Sequence, residues 1–322
     1  MYDQSVSPLR KPIPYEPHRN YIVNGDMRIS QRGDYTSNPV VIANGYYLDR
    51  LRANVWSSAT GTVQRVSSSI GVSGYALRIQ SSSANSGALG IILKQEVEPY
   101  FLGNTHTFSC DVRTNRSDVR LHLYDVAPYQ LNIANSITND ETWQKLVATV
   151  KISSSATQVR FDVNMSGPGG ENVSFSSGDY FEVANIKLEA GVLATPLIPR
   201  LFGEELALCQ RYYEKSYNLD TPPNTATPQG QMGQVIQTNE NTYIFETTRF
   251  AVEKRIVPTM VVYNANVAAG PGTVWNSLAG NLTECGYHTS YIGTTSATFL
   301  AHSPTVTVGS RTQWHWTAEA EL

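Results

Sequence analysis

The chain has 322 residues, a formal net charge of −3 and a pI near 6.1, and only 16% of its residues are charged. That length suits two or three domains, and the charge balance leaves no electrostatic footprint for nucleic acid or an anionic membrane. No apolar stretch approaches the roughly 20 residues a spanning helix needs, and Met1 to His18 hold no apolar signal core.

Residues 1–20 carry Pro8, Pro12, Pro14 and Pro17 and no apolar periodicity. Such a segment stays extended unless something else orders it. A disordered tail and an arm docking onto a larger assembly both fit it.

Residues 21–191 alternate apolar and polar repeatedly, with Gly, Ser or Asn clusters between. In residues 106–112 every second side chain can face a core. Val119, Leu121 and Leu123 repeat the pattern against Arg120, His122 and Tyr124. Leu146, Ala148, Val150 and Ile152 follow, then Val159, Phe161, Val163 and Met165. Period-two alternation makes strands with one buried face, and many at short spacing make an antiparallel sandwich. The last run, 180–188, shifts phase at Ala184-Asn185, which predicts a bulge.

Residues 192–218 differ. Pro196 and Pro199 precede a predicted helix over 201–215, in which Phe202, Leu206, Cys209 and Tyr213 form one stripe. Glu204 and Glu205 near its start, and Arg211 and Lys215 near its end, suit the helix dipole. A helix of about 15 residues is marginal alone in water. The stripe packs either on its own sandwich or against the same stripe of neighbouring subunits around a symmetry axis, and the second is preferred.

Residues 219–322 open with a Pro-, Asn- and Gly-rich loop and continue as predicted strands at 242–250, 259–263, 297–301, 305–308 and 313–320. Trp314, Trp316 and Ala318 share one face, and Pro258 stands where a strand start tolerates it. The expected fold is all-β: two antiparallel β-sandwich domains, 21–191 and 219–322, joined by a short amphipathic helix, with an extended N-terminal arm.

Chemistry has few footholds. There is no GxSxG elbow, HExxH helix or phosphate loop opening a helix. Six histidines, His122 among them, are dispersed without ligand spacing, and Asp111, Asp125 and Asp162 sit on separate predicted strands. The carboxylate pair of a glycosidase leaves no local signature. Cys110, Cys209 and Cys285 are odd in number and widely spaced, so they read as reduced, buried small hydrophobes. The expectation is a binding protein, not an enzyme.

The blocks Asn24-Gly25-Asp26-Met27, Gln31-Arg32-Gly33 and Tyr47-Leu48-Asp49-Arg50 resemble the opening of phage and prophage tail-fibre proteins. Leu188-Glu189-Ala190-Gly191, Ala194-Thr195-Pro196 and Cys209-Gln210-Arg211-Tyr212-Tyr213-Glu214-Lys215 resemble their middle. Lys254-Arg255, Pro258-Thr259 and residues 314–322 are similar to their C-terminal part. The resemblance implies a virion or phage-like particle surface protein, a tail fibre or head spike, made in a bacterial cytoplasm. It implies a homo-oligomer, trimeric by default and pentameric on a head vertex, beside other particle structural proteins. In this setting residues 1–20 become the particle anchor and 219–322 a candidate receptor-binding domain.

The first sandwich separately resembles jelly-roll carbohydrate-binding modules, through Lys94-Gln95-Glu96-Val97, Gly103-Asn104-Thr105-His106-Thr107-Phe108-Ser109, Trp143-Gln144-Lys145 and Phe181-Glu182-Val183-Ala184-Asn185-Ile186. Such modules bind glycans, and some hold a structural calcium; Asp26 and Glu182 are the candidate oxygen ligands. No other cofactor is expected. Aromatic faces cover the apolar face of a pyranose, though Tyr and Trp also suit protein interfaces. Candidate glycan-binding residues are the loop aromatics Trp56, Tyr129, Trp275, Tyr287 and Tyr291. Arg120, His122 and Tyr124 face away from the core strip and would line a concave sheet. The expected partner is a host surface polysaccharide, with no nucleic acid and no membrane insertion. Alternatives are a decoration protein without glycan binding and, behind it, a polysaccharide depolymerase.

Overall fold

Alternating sequence becomes strand after strand in the computed structural model. It describes residues 18–321 except 57, 89, 99–102, 126–131, 134–136, 157, 166–172, 236–242, 283–284 and 303–307. The arm up to residue 17, Tyr129, most of the predicted 305–308 strand and the side chains of Tyr124 and Tyr287 lie outside the described residues.

In chain order the first strands are β1 (Val40–Val41), β2 (Gly45–Tyr46), β3 (Arg52–Trp56), β4 (Gly61–Ser67), β5 (Tyr75–Ser81), β6 (Asn85–Ala88) and β7 (Gly90–Val97). Then come β8 (Thr105–Thr114), β9 (Val119–Asp125), β10 (Asn132–Ile133), β11 (Gln144–Lys151), β12 (Val159–Met165), β13 (Val173–Phe175) and β14 (Tyr180–Ala190). After helix α1 (Phe202–Gln210) follow β15 (Tyr213–Lys215), β16 (Met232–Val235), β17 (Tyr243–Arg249), β18 (Thr259–Asn264) and β19 (Val274–Asn276). The last are β20 (Gly280–Leu282), β21 (Cys285–Ile292), β22 (Ser296–His302) and β23 (Arg311–Glu319). The chain is therefore nearly all β, as its alternation predicts. It divides into two compact units.

Unit 1 comprises Met1–Arg28, Tyr35–Tyr47 and Leu51–Pro199. It holds two antiparallel six-stranded sheets, ordered β1-β4-β5-β14-β8-β11 and β10-β9-β12-β7-β3-β2, plus the pair β13-β6. The sheets meet through their apolar faces: the rings of Phe108 on β8 and Phe161 on β12 lie 4.7 Å apart. Ile79, Leu93, Cys110, Leu121, Val163 and Leu188 are buried with them. Each large side chain so buried contributes about 1.5–3 kcal/mol.

The predicted bulge is present. The β14–β8 register shifts between Ala184 and Lys187, and Asn185 adopts φ 53°. Asparagine tolerates that left-handed backbone. Its side chain accepts from Val72 N and donates to Ile70 O and an Asp111 carboxylate oxygen. Opposite the bulge, a Cβ on Gly25 would stand 2.1 Å from the Ile186 carbonyl oxygen, so no other residue fits there.

Unit 2 comprises Ile29–Asp34, Leu48–Arg50 and Arg200–Leu322. β23 is its axis: it pairs with β15, β16, β18 and β19, while β17, β22 and β21 form a second sheet. Trp314 stacks on Phe299 at 4.0 Å, and Trp316 packs edge-on to Phe250 at 5.8 Å. The shared face predicted for Trp314, Trp316 and Ala318 is thus the core face, and all three are buried.

The helix differs from its predicted span. It covers Phe202–Gln210, and Tyr213 to Lys215 form β15 instead, paired with Glu319 to Thr317. Ladder hydrogen bonds and buried aromatic packing outweigh the helical period there. The expected self-association stripe changes accordingly. Phe202 is 48% exposed and Leu206 half-buried, but Cys209 and Tyr213 are buried within unit 2 and present nothing to a neighbouring subunit.

Candidate functional site

The strand register of unit 1 gathers polar side chains on the face of β9-β12-β7-β3 that looks away from the core. Asp162 pairs with His122 on one side and Lys94 on the other, and Lys94 pairs with Arg52. Directly opposed residues share a face, as do residues two apart along a strand. Arg120, Asn164, Ile92 and Asn54 therefore form the next row on one side, and Arg160 with Glu96 flank it on the other. Trp56, two residues beyond Asn54 and 40% exposed, stands at the margin of the same face.

Burial sets the electrostatics. His122, Asp162 and Asn164 are almost fully enclosed, and Lys94 and Asn54 nearly so. Burial, helped by Arg120 and Arg160, pushes the His122 ring down to about 4, so it is neutral near pH 7. The Asn164 amide donates to its Nδ1 at 2.9 Å, which leaves Nε2 carrying the proton. Burial also pushes Asp162 up to about 6, against the pull of Arg160, whose Nε lies 3.0 Å from Oδ1. Lys94 is held below its ordinary value by burial and by Arg160 and Arg52, and its Nζ stands 3.8 Å from Glu96.

Such a face can offer fixed donors from guanidinium, ammonium and amide groups, acceptors from Asn54 and Glu96, and one aromatic plane. That combination suits a polar, hydroxylated ligand.

Of the predicted residues, Trp56, Arg120 and His122 share this face, and Tyr124 pairs in register with Arg160. The concave-sheet expectation and the loop expectation for Trp56 thus converge on one sheet. His122 is enclosed rather than lining. Trp275 and Tyr291 belong to unit 2 and stand on strands β19 and β21, not in loops, as does the backbone of Tyr287. Aromatics suit the half-buried pleat, so short aromatic strands between Gly and Asn read as loops. Trp275 is half-buried and Tyr291 is 52% exposed. Trp143, from the block Trp143-Gln144-Lys145, is half-buried with the Arg113 guanidinium 5.5 Å above its ring. The sequence reading missed Arg52, Asn54, Lys94, Glu96, Arg160 and Asn164. The signal lies in cross-strand register, since each sits at a polar position of an ordinary alternating strand.

The calcium ligands do not fit the ion. Glu182 lies between its register partners Arg78 and Arg113, each of which holds one of its carboxylate oxygens at 2.7 Å. Asp26 is engaged by Arg28 at 2.9 Å. Calcium takes roughly six to eight oxygens, and both carboxylates are already neutralised by guanidinium. Among the described residues no group of three or more His, Cys, Asp or Glu converges.

The blocks behind the tail-fibre resemblance meet elsewhere, in unit 2. Arg50 pairs with Glu321 and lies 3.6 Å over the Tyr212 ring. Arg32 reaches Glu319 at 3.1 Å and Glu321 at 3.0 Å, 3.8 Å over Tyr213. Gln31 donates to Asp49 from both its backbone and its amide, and to the Tyr213 carbonyl. Lys254 pairs with Glu214, and Arg255 donates to the Ala320 and Glu321 carbonyls. In unit 1 the middle block folds back likewise, Thr195 donating to Glu189 from its N–H at 2.7 Å and its hydroxyl at 2.6 Å. These are structural clasps.

No protein-family model matches the chain, and no curated protein matches it. Solved structures similar to it include TmCBM61 in complex with beta-1,4-galactotriose, at 16% identity and TM-score 0.33, covering 54% of this chain and 99% of that one. A putative sugar binding protein from Bacteroides thetaiotaomicron is 10% identical at TM-score 0.34, covering 54% and 100%. The enzymatically active domain of bacteriophage CBA120 tailspike protein 4 is 14% identical at TM-score 0.33, covering 53% of this chain and 21% of that one. Structural neighbours are thus carbohydrate-binding modules and one phage tailspike domain. Likeness of this degree carries no argument about ligands, which rests on the side chains above.

Proposed function

We propose that the chain is a glycan-binding subunit of a virion-type fibre or spike, acting by adhesion without turnover. The observation that carries the reading is the polar face of β9-β12-β7-β3. Over its enclosed row Lys94–Asp162–His122 it holds the half-buried guanidinium groups of Arg52 and Arg120 on a rigid sheet, with the exposed Trp56 at its margin. Rigid sheets hold a binding constellation more tightly than loops do, and an aromatic plane beside convergent polar groups is what a pyranose requires. The particle-surface setting and the homo-oligomer, taken as a trimer, rest on the sequence blocks that resemble tail-fibre proteins.

The test is binding of the fluorescently labelled protein to bacterial cells that carry or lack their surface polysaccharide. Binding should vanish with the polysaccharide and fall at least about tenfold in Trp56→Ala, the range expected for losing a central aromatic contact. No binding by the folded protein supports the decoration reading instead. One observation favours a depolymerase: Asp162, a carboxyl raised towards neutrality, lies diagonal to Glu96 on the same face. Release of reducing ends from a bound polysaccharide would establish that activity.

A further inference from the structure

We propose that the ligand of this face is an acidic glycan, one bearing carboxylate or sulfate groups, held by Arg52 and Arg120. The proposal rests on reading the face as a glycan site. Four basic side chains, Arg52, Lys94, Arg120 and Arg160, share it with two carboxylates, Asp162 and Glu96. Arg160 is committed to Asp162 and Lys94 stands by Glu96. The two remaining guanidinium groups have no carboxylate partner among the described residues. Arg52 donates to the Asn44 carbonyl at 3.2 Å and has the Tyr46 ring 5.8 Å away. Arg120 has no hydrogen bond or ion pair among the described residues.

Both arginines are half-buried, and the Nε of each is shielded from solvent without an acceptor. A guanidinium in that state has lost hydration and gained no counter-charge. A ligand carboxylate or sulfate supplies two parallel charge-assisted bonds to such a fork, which a neutral hydroxyl does not. Asn54, two residues along β3 from Arg52 and at the far end of Arg120's cross-strand row, has a buried Oδ1 without a donor, which a sugar hydroxyl would satisfy. Charge at the arginines and a hydroxyl at Asn54 together describe an acidic sugar rather than a free anion.

Affinity electrophoresis of the intact protein tests this, in gels holding polygalacturonate, its neutral methyl ester, dextran sulfate or neutral dextran. The expected result is retardation by polygalacturonate or dextran sulfate and by neither neutral counterpart; which of the two retards identifies carboxylate or sulfate. R52Q/R120Q should weaken that retardation by about tenfold or more, the effect of losing charge-assisted bonds. K145Q/K151Q removes the same charge from β11, on the other sheet, and should stay within about twofold, at matched urea midpoints. An equal loss in K145Q/K151Q overturns the proposal in favour of unspecific charge attraction. Failure of both acidic polymers to retard the protein overturns it as well. Retardation by a neutral polymer, lost in Trp56→Ala, would leave the glycan reading standing while the acidic class falls.

Discussion

Replacing Glu321 by glutamine takes one negative charge from beneath two guanidinium groups of unit 2. Glu321 pairs with Arg50 through one oxygen and with Arg32 through the other, and the side chains of Glu321 and Arg50 are 5% and 2% exposed. Breaking a buried pair from one side costs about 3–5 kcal/mol, because the partner charge stays buried. Here the lower end applies: Arg50 keeps the Tyr212 face, Arg32 keeps Glu319 and the Tyr213 face, and glutamine still accepts one bond. With a urea m-value of about 2 kcal/mol/M, a loss of ~3 kcal/mol lowers the midpoint of unit 2 by about 1.5 M. The assay is urea unfolding followed by tryptophan fluorescence in a W56F/W143F background, where Trp314 and its core neighbours report unit 2. Adding Arg50→Met to Glu321→Gln removes the stranded charge and should restore about half of the loss. A midpoint shift under about 0.3 M, or an Arg50→Met effect that adds to the loss, would refute the buried-pair argument.

Other expectations follow from the same geometry. His122, depressed to about 4, contributes stability that is whole above about pH 6.5 and lost as pH falls through about 4. Asp162, raised to about 6, works the other way, its contribution present below about pH 3.8 and lost as pH rises through about 6. Asp162→Asn therefore leaves the histidine unopposed, and unit 1 should lose on the order of 3 kcal/mol from pH 6.5 to 4. A loss no steeper than that of D162N/H122N would contradict this. Burial pushes the Cys110 and Cys209 thiols well above their ordinary value; neither should react with iodoacetamide in the native protein, as peptide mass mapping would show. A fragment of residues 200–322 lacks Gln31, Arg32, Asp49 and Arg50, and should show no cooperative unfolding transition. The same fragment giving a sharp transition near that of the full chain would sink that expectation.

The class of fold was legible because its cause is local. The alternation of Val159, Phe161, Val163 and Met165 needs only a pleat and one dry side, and the phase slip at Ala184-Asn185 announced its bulge. The helix was misjudged at Tyr213 because a helical stripe and the first residues of an edge strand look alike until the strand finds β23. Arg120 and His122 could be placed on an outward face from their own strand. Their companions Lys94, Asp162 and Arg52 could not, because only the register joins strands some 30 to 70 positions apart in sequence. The carboxylate of Glu182 was visible, but the two arginines that occupy it come from other strands, while Asp26 is taken by its near neighbour Arg28. A sequence displays ligands one strand at a time; competition for them is a tertiary fact.

The membership of unit 2 also fixes an order of events during synthesis. Ile29–Asp34 and Leu48–Arg50 leave the ribosome early, yet they belong with Arg200–Leu322. Arg50 and Glu321 are 271 positions apart. At about 5–20 residues per second, Arg50 waits roughly 15–55 s for its carboxylate. The two sheets of unit 1 can close in that interval around a chain with two short bights left hanging. Slowing translation should therefore lengthen the time that Arg32 and Arg50 stand without their carboxylates, a kinetic exposure separate from the stability of the finished protein.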